Sequence, residues 1–281
     1  MARQGGELTR REFLVTGAVA AGYTLAAGPL RAEVITTPAK GLVAGAISIP
    51  AGDRAIPGYR AKPATAVSPP IVLVVQEIFG VHEYIRDVCR RLAQAGYLAV
   101  APELYVRQGD VSGLTDIAAI QTVVAKVPDA QVMSDLDAAA AWAASDGGDA
   151  AKLAITGFCW GGRIVWLYSA HNPKLDAGAA WYGRLVGDNT PARPAQPIDL
   201  AAKLHAPVLG LYGAEDGGIP LDTTDRMQKA IAAAGGKSRI DVFPGAPHGF
   251  HADYRPSYRG EAAVEGWSRM LAWFKANGVG A

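Results

Sequence analysis

The chain has 281 residues, half of them hydrophobic, with 27 Lys and Arg against 26 Asp and Glu for a net charge of +1. That length and apolar content can bury one sizeable core in a single α/β domain. The balanced charge offers no basic face, which argues against nucleic acid as a partner, and no repeat or long low-complexity tract is visible.

The N-terminus reads as a separate module. Thr9-Arg10-Arg11-Glu12-Phe13-Leu14 precedes a mildly apolar run from Val15 to Ala27. Paired arginines before a short apolar stretch fit a twin-arginine export signal over residues 1–32, with residues 33–281 as the mature domain. Leu30-Arg31-Ala32 is one cleavage site and Ala26-Ala27-Gly28 a rival; an ordinary amphipathic helix is the other reading of the segment. Export would engage the twin-arginine machinery and place the folded protein in the periplasm. A catalytic thiol there must survive an oxidising compartment.

Gly41 to Arg60 reads as a β-hairpin with Asp53 near its turn. Ile71-Val72-Leu73-Val74-Val75 is an all-apolar strand, as a strand covered by helices on both faces should be. Tyr84 to Gly96 reads as a helix capped by Gly96, with Cys89 beside Val88, Leu92 and Ala93 on its core face. Leu98-Ala99-Val100-Ala101 is the next strand, and Val132 to Ala144 the next helix. Lys152 to Ile155 ends another strand, Arg163 to Ala170 follows as a helix, and Ala177 to Tyr182 is again a strand. Val186 to Ala201, rich in Pro and polar residues, reads as a loop or lid. Pro207 to Gly213 and Arg239 to Phe243 are strands; Asp222 to Gly235 and Glu261 to Ala276 are helices. Strands alternating with helices predict a mainly parallel sheet with helices on both faces.

The chemistry concentrates at strand ends. Ile155-Thr156-Gly157-Phe158-Cys159-Trp160-Gly161-Gly162 has the strand–turn–helix context of a nucleophile elbow, with Cys159 at the centre of G-x-[SC]-x-G. The glycines two residues either side give a sharp turn room, and the following helix N-terminus favours a thiolate or an oxyanion. Downstream, Asp216 follows one strand and His248 another, so nucleophile, acid and His occur in the chain order of an α/β-hydrolase. Glu215 rivals Asp216, and His251 rivals His248. The His248-x-x-His251 pair could suggest a metal, but no Cys or further His lies nearby, so neither metal nor cofactor is expected. Tyr182 is either a core aromatic or a pocket hydroxyl. Without a Cys-x-x-Cys pair, Cys89 and Cys159 do not make a thiol-redox centre.

These placed motifs resemble the dienelactone hydrolase (carboxymethylenebutenolidase) family over roughly residues 42 to 277. They are Gln76-Glu77-Ile78-Phe79-Gly80, Ala101-Pro102-Glu103-Leu104-Tyr105, Gly157 to Gly162, Tyr182-Gly183 and His248-Gly249-Phe250. The resemblance implies the α/β-hydrolase fold and hydrolysis of a small lactone or ester. It implies Cys159 as nucleophile, His248 as base, Asp216 as the group that orients the His, and Glu77 against the thiol at rest. The backbone N–H groups of Ile78 and Trp160 would form the oxyanion hole, with Phe79 and Tyr182 in the substrate pocket. One departure stands out. Family members hold the substrate carboxylate with arginines, one of them four residues after the catalytic His. That position is Ala252 here, with Arg255 three further on; Arg107 and Arg184 are other loop cations. The rival functions are hydrolysis of thioesters or aryl esters on the same fold, and a non-catalytic periplasmic binding protein. The oligomeric state is left open.

Overall fold

A computed structural model describes residues 35–281; the expected export segment lies outside the described residues. One eight-stranded sheet organises the domain. Its strands are β1 (Leu42–Pro50), β2 (Ala55–Pro63), β3 (Pro70–Val75), β4 (Leu98–Pro102), β5 (Asp149–Phe158), β6 (Ala177–Trp181), β7 (Val208–Gly213) and β8 (Arg239–Phe243). The helices are α1 (Glu83–Gln94), α2 (Ile117–Val124), α3 (Asp129–Ser145), α4 (Trp160–His171), α5 (Leu221–Ala233) and α6 (Gly260–Ala276), with a 3-10 turn at Pro197–Lys203.

The sheet order is β1-β2-β4-β3-β5-β6-β7-β8. The β1–β2 hairpin adds antiparallel to β4, and every pair from β4 through β3 to β8 is parallel. This is the mainly parallel sheet that the alternation of elements predicts. Every residue of β3, β4, β6 and β7 is buried, because helices cover both faces; β1 and β2, at the edge, have half-exposed faces. The chain crosses from β3 to β4 in one direction and from β4 to β5 and onward to β8 in the other. The reversal lies between β3 and β5. In open α/β sheets ligands bind at such a switch point, beyond the carboxyl ends of the strands.

The differences from the sequence expectation are local. Helix α3 starts at Asp129 rather than Val132, because Pro128 sits at the N-cap, where a missing N–H costs nothing. Helix α2 was not predicted; Asp116 caps it by accepting from the backbone N–H groups of Ala118 and Ala119. The predicted loop at Val186 to Ala201 ends in the 3-10 turn.

Candidate active site

Strand β5 and helix α4 meet at Cys159, whose backbone sits at φ 56° and ψ −113°. A non-glycine residue there carries about 1–3 kcal/mol of strain. The surroundings enforce it. The Cys159 N–H donates to the Trp181 carbonyl at 3.0 Å. A Cβ at Gly157 would run into the Gly161 carbonyl, and one at Gly161 would stand 2.5 Å from the Val75 carbonyl oxygen. The two glycines let β3, β5 and α4 close on one another, and the turn lifts the Cys159 side chain to the edge of a cavity.

The residues beyond β7 and β8 converge on the same point. His248 Nδ1 lies 2.7 Å from Asp216 Oδ2. Asp216 is itself fixed, because its Oδ1 accepts from the backbone N–H groups of Gly218 at 2.9 Å and Ile219 at 3.1 Å. Glu215 is exposed and His251 is turned elsewhere, so of the rival pairs only Asp216 and His248 meet each other. Burial by itself would lower the His248 pKa. Its electrostatic attraction to Cys159 and its hydrogen bonds with Asp216 and Cys159 outweigh that and raise it to about 10. Trp160 opens α4, so its N–H has no acceptor within the helix. Ile78 faces it across the same cavity. The Ile78 loop is held by Tyr105, whose hydroxyl donates to the Glu77 carbonyl at 3.2 Å, and by Glu103, which accepts the Val81 N–H at 2.8 Å.

Glu77 is wholly buried, and its carboxylate is turned to the loop that follows β8. Oε1 accepts from Arg255 at 3.2 Å, Oε2 accepts from the Tyr254 hydroxyl, and His82 Nε2 lies 3.4 Å from Oε2. Burial alone would raise this carboxyl. The Arg255 charge, with the His82 and Tyr254 contacts, prevails and holds it down at about 2. No hydrogen bond joins Glu77 to Cys159 among the described residues, although the resemblance implied that contact at rest. Arg255 and Tyr254 reach the carboxylate instead. Arg255 is thereby buried against Glu77 and lies off the cavity wall, with Phe79 packed over its guanidinium at 5.0 Å. Phe79, expected in the pocket, instead closes this ion pair.

The loop carrying Arg255 is tethered deeper in the fold. Asp253 pairs with Arg91 of α1, and the Tyr84 hydroxyl meets His251 Nδ1 at 2.6 Å. His251 stacks against Trp267 and lies 4.5 Å from the Trp181 ring. Burial, followed by the Arg91 charge, pushes its pKa down to about 3, so it is neutral. It is an interior residue. Ala252 is fully buried.

The cavity measures about 370 Å³, within the range of small-molecule pockets. Ile78, Cys159, Trp160, Tyr182 and His248 line its floor side, and Arg184 and Arg193 belong to its wall. The Arg184 side chain makes no hydrogen bond or ion pair among the described residues. Arg193 donates to the Val124 carbonyl at 3.0 Å. Arg107 takes no part: it is held by Asp53 and Asp135. Sequence reading missed Tyr254, Arg163 and Arg193. Arg163, one turn beyond Cys159, is nearly buried in a bidentate pair with Asp129 and also donates to Gln196. The Gly162-Arg163 step was visible in the sequence, but a cation four residues after Cys159 carries no signal without its distant carboxylate.

Comparison with known proteins places the family and the fold. The model of the dienelactone hydrolase family matches residues 56–278. A protein of Methylorubrum extorquens, provisionally named a carboxymethylenebutenolidase, is 60% identical over 275 residues, covering 97% of this chain and 94% of its own. Its Escherichia coli counterpart, under the same provisional name, is 54% identical over 259 residues, 92% of this chain and 96% of its own. A Klebsiella pneumoniae crystal structure, provisionally described as a dienelactone hydrolase, superposes with a TM-score of 0.82 at 59% identity, covering 83% of this chain and 98% of that one.

Proposed function

The chain belongs to the dienelactone hydrolase family, and from that premise we propose that it hydrolyses a small lactone or carboxylic ester through a thioester at Cys159. The observation that carries this is that Cys159 and His248 line one cavity from two separate strand ends, with Asp216, from a third, held against His248 behind them. In the proposed cycle the Cys159 sulfur attacks the carbonyl carbon. The carbonyl oxygen takes up negative charge against the backbone N–H groups of Ile78 and Trp160; one such donor contributes about 3–4 kcal/mol to lowering the barrier. As the C–O bond breaks, the His248 imidazolium gives its proton to the departing oxygen. His248 then takes a proton from water, which attacks the thioester, and the acid leaves with Cys159 restored. Asp216 holds the imidazole in one orientation throughout. Glu77, anchored by Arg255, supplies a fixed negative charge beneath the site.

Arg184 and Arg193 on the wall favour a substrate with an anionic group, which Ala252 could not hold. The N-terminal arginine pair supports a periplasmic location by way of the twin-arginine route. One experiment reads both proposals. Dienelactone, neutral aryl esters and a thioester are assayed in periplasmic and cytoplasmic fractions for the wild type, for Cys159→Ala, and for Arg10→Lys with Arg11→Lys. The expected result is lactone or ester turnover in the periplasm, a loss of at least about a thousandfold in Cys159→Ala, and retention in the cytoplasm for the arginine variant. Full activity in Cys159→Ala would overturn the nucleophile. Unchanged periplasmic delivery of the arginine variant would overturn the export route.

A further inference from the structure

Tyr182 stands one residue past the end of β6, and its backbone is at φ 38°. Outside glycine that conformation costs free energy, and a β-strand terminus does not require it. It is imposed by the neighbours. The Tyr182 N–H donates to the Leu211 carbonyl at 2.9 Å, and the next residue, Gly183, lies hard against Gly162 at the start of α4. The ring is fixed as well, edge-on to Phe250 at 5.4 Å and to the His248 imidazole at 5.1 Å.

The hydroxyl at the end of this rigid ring is sealed from solvent and closes no hydrogen bond of good geometry. The Tyr84 hydroxyl beside it, which also meets His251, interacts with the Tyr182 oxygen and leaves the Tyr182 O–H proton without an acceptor among the described residues. A buried hydroxyl whose proton has no acceptor is destabilising. So the position combines strained backbone with an orphaned donor, and it borders the cavity that holds Cys159 and His248. Burial, then the negative charge of Glu77, drives the phenol well above its ordinary range, so it remains an O–H donor at any working pH.

We propose that the Tyr182 hydroxyl is a catalytic hydrogen-bond donor to the oxygen that leaves when the substrate C–O bond breaks. The assignment rests on the Cys159 hydrolase reading above. In that reading the carbonyl oxygen is already served by Ile78 and Trp160. The other ester oxygen gains electron density as C–S forms and C–O breaks, and His248 supplies its proton. Tyr182 keeps its own proton and holds that oxygen during the transfer. The sheet order agrees: Ile78 follows β3, on one side of the nucleophile, whereas Tyr182 follows β6, on the side of β7 and β8 that brings Asp216 and His248.

The test is Tyr182→Phe, which removes only the oxygen. Values of kcat/KM are measured on esters that share one acyl group and carry leaving groups from nitrophenol to a simple alcohol, with the matching thioester as control. A donor to the leaving oxygen matters most where that oxygen is most basic. The expected loss is about 100-fold for the alkyl ester and within about threefold for the nitrophenyl ester and the thioester. The melting temperature should equal or exceed that of the wild type, because an orphaned buried hydroxyl is gone. An equal loss across the series, or none, would overturn the proposal; an equal loss with a lowered melting temperature would make the hydroxyl structural. These outcomes are separable from the parent reading, which falls only if the wild type hydrolyses no member of the series or Cys159→Ala keeps its activity.

Discussion

The turn after β5 and the loop after β3 fix their buried polar groups by opposite means. Cys159 is held by backbone crowding: Gly157 and Gly161 let carbonyls close in until one strained conformation remains. Glu77 is held by side chains: Arg255, Tyr254 and His82 bind its carboxylate, and Arg91 and Tyr84 tether the loop that delivers two of them. The first device is steric, local and indifferent to charge. The second is ionic, long-range and sensitive to protonation. A site built from both can hold the Cys159 side chain rigidly while tuning the field around it.

The contrast can be broken most directly at Arg255. Replacing it with Met strands the Glu77 carboxylate in an apolar interior and should cost about 3–5 kcal/mol by urea unfolding. Adding Glu77→Gln should recover a good part of that loss, because no unpaired charge is left behind. If the double variant is as unstable as the sum of the singles, the two groups are not coupled and the clamp as described is wrong.

Acid comes next. The Glu77 carboxyl is depressed in the folded protein, from an ordinary 4.5 to about 2. Its stabilising contribution is therefore complete above about pH 4.5 and fades as pH falls toward 2. Unfolding free energies measured across that window should drop by about 3 kcal/mol more in the wild type than in Glu77→Gln. Parallel pH profiles for the two proteins would show that the carboxylate is not held as an anion.

The smallest effect, and the one that sharpens the comparison, belongs to Gly161. A Cβ there meets the carbonyl oxygens of Val75 at 2.5 Å and Gln76 at 2.6 Å. Gly161→Ala should cost about 2–3 kcal/mol, independent of pH, and no second side-chain substitution should restore it, since the obstacles are backbone atoms. A pH-dependent loss, or rescue by trimming Val75, would mean that the turn is not held by crowding.

How much of this was legible follows the same division. The parallel strands, the hairpin and the Cys159, Asp216 and His248 positions could be read because each signal is contained within a few residues: apolar runs, a Gly-x-Cys-x-Gly turn, polar groups at strand ends. Helix α2 was harder, since eight residues rich in Ile, Ala and Val are too short to tell a helix from a strand. Tyr182 could be named but not oriented, because its backbone geometry is imposed by Leu211 and Gly162 from other elements.

The sequence by itself therefore determined the fold class, the family and the strand–turn–helix at Cys159, all of which rest on local periodicity and local steric need. Only the tertiary structure decided that Glu77 faces Arg255, 178 residues away, rather than the thiol, and that Phe79 covers that ion pair. The reason is physical. A close-packed turn advertises itself through the glycines it must have, whereas an ion pair requires only that two charged side chains, placed anywhere along the chain, be brought to one buried point.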